Sequence, residues 1–94
     1  MSNLEVIVED KLDFRMKELM DIYPNIQVTA ILVVNGTISE DLLNLINSKN
    51  IEIIRSYPFM RTIKVKGKVK DIATITSLDR IKYIMLDEIL SKSI

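Results

Sequence analysis

The chain has 94 residues, 48% hydrophobic and 28% charged, with two Gly and two Pro, the balance of one folded domain around a single modest core. Thirteen basic side chains cancel thirteen acidic ones, so no overall field draws the chain to nucleic acid or an anionic membrane, and a partner has to be met by shape and local contacts. Cys and His are both absent, which excludes disulfides and thiolate or imidazole metal sites, removes the commonest general base, and leaves no cofactor to be expected.

The start of the chain holds no basic n-region and no apolar stretch of signal-peptide length. The longest apolar run, 30–34, falls far short of the roughly 20 residues that cross a bilayer. As it stands the sequence reads as cytoplasmic, or as secreted with a signal already removed. Leu12, Met16, Leu19, Met20 and Tyr23 recur at spacings of three and four, which predicts an amphipathic helix over 10–22 with Asp10 or Asp13 at its cap. Residues 1–25 are thus a helical lead-in, ended by Pro24-Asn25. Residues 26–34 form a nearly continuous β-branched and aliphatic run, as in a central strand covered on at least one face. Asn35-Gly36 makes a turn, and Ser39, Glu40 and Asp41 supply the cap and first-turn charge for a helix bearing Leu42, Leu43, Leu45 and Ile46 that stops near Lys49-Asn50.

Residues 51–57 and 60–66 read as strands, and the Pro58-Phe59 connection makes them an antiparallel hairpin. In the second, Ile63 and Val65 alternate with Thr62, Lys64 and Lys66, so the sheet is covered on one side only. Gly67 is expected to break this strand. Val69, Ile72, Ala73, Ile75, Thr76 and Leu78 recur at helical spacing up to Asp79-Arg80, and 81–89 closes the order as a last strand. In that strand Ile84 and Leu86 would face the helices, with Tyr83, Met85 and Asp87 outward. The order strand, helix, strand, strand, helix, strand over 26–94 defines an α+β, ferredoxin-like βαββαβ antiparallel sheet with two helices on one face, plus the N-terminal helix.

Catalytic chemistry is hard to find in this sequence. No His activates the serines at 39, 48, 56, 77, 91 and 93, which read as solvated or capping residues. The paired carboxylates Asp10 and Asp13, Glu40 and Asp41, and Asp87 and Glu88 fall at helix starts or a strand end, where dipole and surface roles explain them. There is no Gly-rich phosphate loop. The open sheet face lacks the aromatic ladder on which RNA-binding sheets stack bases, so Lys64, Lys66, Lys68 and Lys70 read as a solvated face with edge protection. Ile54, Tyr83 and Met85, in contrast, are apolar side chains expected on the side without helices, which is how a docking surface reads.

Two segments carry a resemblance. Arg55-Ser56-Tyr57-Pro58-Phe59-Met60-Arg61-Thr62-Ile63-Lys64-Val65 is similar to the hairpin of subtilisin pro-regions and the related small proteinase inhibitors. Residues 72–87, Ile-Ala-Thr-Ile-Thr-Ser-Leu-Asp-Arg-Ile-Lys-Tyr-Ile-Met-Leu-Asp, resemble that family's helix, Leu-Pro-Gly-Val, strand and Glu-x-Asp ending. The likeness covers 26–94, and Lys11-Leu12-Asp13 with Lys17-Glu18-Leu19 is similar to the lead-in of some archaeal subtilisin-like precursors. The chain departs from the pattern at Asp79-Arg80, where Pro-Gly is usual, at Pro58-Phe59, where an Asn-Gly type turn is usual, and at Met85, often acidic.

The resemblance implies an inhibitor of a subtilisin-family serine protease and a folding chaperone for it, monomeric when free, with no enzymatic activity of its own. Ile54, Tyr83 and Met85 would dock on two surface helices of the protease. Asp87 and Glu88 close the last strand, with Asp87 capping one of those helices. Ile89, Leu90, Ser91, Lys92, Ser93 and Ile94 would lie substrate-like in the cleft. One alignment puts Leu90 four residues before the cut, Ser93 beside it and Ile94 one beyond; a slip of one residue gives the first two roles to Ser91 and Ile94, and both registers stay open. The alternative, from a different class, is a small regulatory or assembly module of the same topology that dimerises through its sheet.

Overall fold

A computed structural model describes residues 6–90 of the chain. Helix α1 (Phe14–Ile22) starts later than its apolar spacing suggests, because residues 9–11 form a separate 3-10 turn and Asp13 is the cap. The Asp13 carboxylate accepts the Met16 N–H at 2.8 Å, satisfying one of the donors that every helix start leaves open. Strand β1 (Gln27–Val34) leads through Gly36, at φ +81°, to helix α2 (Glu40–Asn47), where the Ser39 hydroxyl accepts the Leu42 N–H. Strands β2 (Glu52–Tyr57) and β3 (Thr62–Lys68) are joined by a 3-10 turn, Pro58–Met60, closed by Arg61 in the left-handed region. Helix α3 (Val69–Thr74) continues as a 3-10 turn to Ser77, shorter than expected, and strand β4 (Ile81–Ile89) follows.

The four strands form one antiparallel sheet in the order β2-β3-β1-β4, with β1 and β3 central and β2 and β4 at the edges, so the fold is ferredoxin-like α+β. Val28, Ala30, Leu32 and Val34 of β1 alternate onto the covered face with Ile63 and Val65 of β3 and Ile84 of β4. There they meet Leu42 and Ile46 of α2 and Val69, Ile72 and Ala73 of α3 in a single core. Leu12 and Met16 of the lead-in are buried in that same core, so residues before 26 complete the domain and do not merely precede it.

Gly67 does not end β3: it pairs with Val28 in mid-ladder. A Cβ there would lie 3.4 Å from the Asn50 carbonyl and 3.7 Å from the Ile51 Cα, so the glycine marks a close approach of two backbone segments and not a break.

The lead-in also treats an edge. Leu12 bridges in parallel to Ile84, the Asp13 N–H donates to the Ile84 carbonyl at 3.0 Å, and the second Asp13 oxygen accepts the Leu86 N–H at 2.8 Å. Main-chain groups in the middle of β4 that would otherwise invite another strand are thereby occupied.

Candidate functional site

Residues opposite one another in a ladder point to the same face. Val33 opposes Tyr83 and Ile31 opposes Met85 across β1 and β4, on the side away from the helices. These four make an apolar strip on the β1–β4 side of the open face, with Met85 exposed and the other three half-buried. Thr62 and Lys64 of β3 flank the strip as the partners of Val33 and Ile31. Tyr83 and Met85 therefore stand together, as the sequence suggests. Ile54 does not join them: it is exposed at a register shift in β2, the edge strand, with β3 and its Lys64 between. Ile31 and Val33 were not singled out from sequence, although a nearly unbroken apolar run in a sheet covered on one side only is the signal that would find them.

Strand β4 is not a regular ladder. Its covered-face residues are Ile81, Ile84, Leu86 and Ile89, opposite Val34, Leu32, Ala30 and Val28. Spacings of three, two and three cannot fit a period of two, and the pairing with β1 accordingly shifts register twice, leaving Lys82 and Asp87 as extra residues. The second bulge has a direct consequence for charge. Glu88, which strict alternation sends to the helix side, pairs with Thr29 and joins Asp87 on the open face, while Ile89 pairs with Val28 at the end of the strand and is itself 41% exposed.

Asp87 is held in place. One of its oxygens, Oδ2, accepts the hydroxyl of Thr29 at 2.9 Å and lies 3.3 Å from the Lys64 ammonium, a contact that spans β3, β1 and β4. Thr29 itself is 5% exposed, so its hydroxyl has its partner in this carboxylate. At the strand's end the Leu90 N–H donates to the Gln27 carbonyl at 2.9 Å, keeping the chain in line with β4. Ser91, Lys92, Ser93 and Ile94 lie outside the described residues.

A second exposed apolar group sits at the β2–β3 turn, where Phe59 is fully exposed and Met60 is 70% exposed. Because Thr62 and Tyr83 both oppose Val33, while Lys68 opposes Gln27 and Ile89 opposes Val28, this turn lies at the end of the sheet opposite Leu90. Across a β1 of eight residues that separation is about 25 Å. Three of the serines have local roles: Ser39 caps α2, and Ser48 and Ser77 donate to carbonyls one turn back. Among the described residues no three carboxylates gather as a metal site would require.

Comparison of the chain with protein-family models and with curated proteins gives no match. The fold class and the open face are therefore read from this chain's own residues.

Proposed function

We propose that this chain is a binding module that inhibits a subtilisin-family serine protease, with the open sheet face against the enzyme and the segment after β4 in its active-site cleft. The observation that carries the proposal is the apolar strip of Ile31 and Val33 on β1 and Tyr83 and Met85 on β4, uncovered by any helix among the described residues, with β4 the strand that precedes the tail. A docking face ordered by a sheet, with the C-terminal segment following its last strand in sequence, suits a two-point inhibitor: the face would supply apolar burial and the tail would add main-chain hydrogen bonds on binding. The resemblance of residues 26–94 to subtilisin pro-regions supports the same reading. Titration against a subtilisin-family protease tests it. Stoichiometric inhibition is expected, lost on deletion of 90–94, and a lack of inhibition across several such proteases would sink the proposal.

One observation favours the dimerising module as the second reading. Lys64 and Lys66 border the apolar strip on the β3 side and Asp87 and Glu88 lie on the β4 side, so a two-fold axis along the strands would set each basic border over its copy's acidic border. Sedimentation separates the two readings: a dimer that persists at micromolar concentration and dissociates in high salt supports this one.

A further inference from the structure

The bulge in β4 leaves two neighbouring carboxylates, Asp87 and Glu88, on one face, yet their surroundings differ. Asp87 is engaged within the chain, by the buried Thr29 hydroxyl and by Lys64. The cation beside it offsets its charge, and turning it toward a partner would strip Thr29 of its acceptor. Glu88 is exposed, and among the described residues its side chain has neither a hydrogen bond nor an ion pair. A partner's N–H donors or cations meet an uncompensated anion at Glu88 and a compensated one at Asp87.

We infer that Asp87, Thr29 and Lys64 form an intramolecular latch across three strands, and that Glu88 is the anionic contact on the docking face. The inference rests on the proposed docking of this face but moves the anionic contact from Asp87, to which the resemblance gives it, to Glu88. Asp87 is a positioning residue: it ties β4 to β1 and β3 where the bulge has left an unpaired residue, the place at which a ladder is weakest. Half-buried Leu86 opposite Ala30 and, on the other side of the pair, the Leu90 N–H bond to the Gln27 carbonyl at 2.9 Å hold the bulge in register. Glu88 therefore stays on the open face when the latch is cut.

Two measurements test the two halves separately. On the free protein, urea denaturation of Thr29→Val, Asp87→Ala and the double variant should show non-additivity: Thr29→Val lowers the midpoint in the wild-type background and has no further effect once Asp87 is gone. Thr29→Ser, which keeps the hydroxyl, should restore that coupling. Additive effects would overturn the latch. On the complex with a subtilisin-family protease, Glu88→Gln should weaken inhibition by roughly three- to tenfold, the effect of one charge at a helix terminus, with an unchanged denaturation midpoint. Asp87→Asn should weaken inhibition less than Glu88→Gln does. The reverse order, with Asp87→Asn the more damaging to inhibition, would overturn the assignment. Failure of the wild-type chain to inhibit any such protease would remove the Glu88 half together with the docking proposal, and the denaturation cycle would still decide the latch.

Discussion

Asp13 holds more of this structure than its sequence position suggests, and its removal should be costly. One carboxylate oxygen caps α1 through the Met16 N–H at 2.8 Å; the other takes the Leu86 N–H at 2.8 Å on a strand more than seventy positions away. Loss of an Asp cap costs about 0.5–2 kcal/mol. Loss of a hydrogen bond to a charged acceptor costs about 1.5–3 kcal/mol, less whatever water recovers at the strand edge. Together Asp13→Ala should destabilise by about 3 kcal/mol, which for a domain of this size lowers the melting temperature on the order of 15 °C. Asp13→Asn separates the contributions, since its single carbonyl oxygen can serve only one of the two donors, and it should lose about half as much. Asp10, the other cap candidate in the sequence, lies in an exposed 3-10 turn with no side-chain cap bond, so Asp10→Ala should stay within about 0.5 kcal/mol. Thermal and urea unfolding followed by far-ultraviolet circular dichroism measures all three. Equal effects of Asp10→Ala and Asp13→Ala would refute the reasoning.

Other outcomes follow from single contacts. Thr76 is fully buried and its hydroxyl accepts the Val8 N–H at 2.8 Å while donating to the Ala73 carbonyl; Thr76→Val leaves that N–H unpaired and should cost about 1–2 kcal/mol in urea denaturation. Gly67→Ala places a Cβ in ordinary contact with the Asn50 and Ile51 backbone and should be neutral or stabilising by up to about 1 kcal/mol through the unfolded chain, whereas Gly67→Val should overpack by about 1–3 kcal/mol. Met85→Lys, at a position 37% exposed, should leave the melting temperature nearly unchanged and weaken inhibition by about tenfold or more, the loss of one buried Met at an interface.

The fold was largely legible because helical and strand periods separate cleanly in this chain. The alternation of Ile63 and Val65 with Thr62, Lys64 and Lys66 matches their burial in β3, and β4 runs over the expected residues. Errors arose where a local rule competed with a tertiary one. Gly67 carries a breaker signal, yet it pairs with Val28 in mid-ladder, and the segment at 50–51 lies within van der Waals reach of a Cβ there, close enough to crowd a branched side chain. The helix start at Asp10 followed apolar spacing, but Leu12 reaches the core from an extended segment bridged to Ile84, a contact that helical periodicity does not encode. The bulges in β4 were readable in principle, since Ile81, Ile84, Leu86 and Ile89 cannot all face one side of a regular strand. The Thr29 and Lys64 contacts to Asp87 were not, because they depend on the register among three strands.

The arrangement of edges bears on how the face can be used. The lead-in occupies the outer edge of β4 at Ile84 and Leu86, so the middle of that strand is closed to a further strand while the chain leaves it in line at Leu90. A partner strand is therefore turned away from the middle of β4, toward its end or toward β2, where the register shift near Ile54 disrupts the template. On the proposed docking, recognition then comes from side chains on the open face: the apolar strip of Ile31, Val33, Tyr83 and Met85, with Glu88 near the end of β4. A surface so confined favours one docking pose over strand-by-strand association. Cutting the Asp13 bond to Leu86 should then do more than soften the fold. It should expose the β4 edge and increase self-association as protein concentration rises, which light scattering on Asp13→Ala against the wild type would detect.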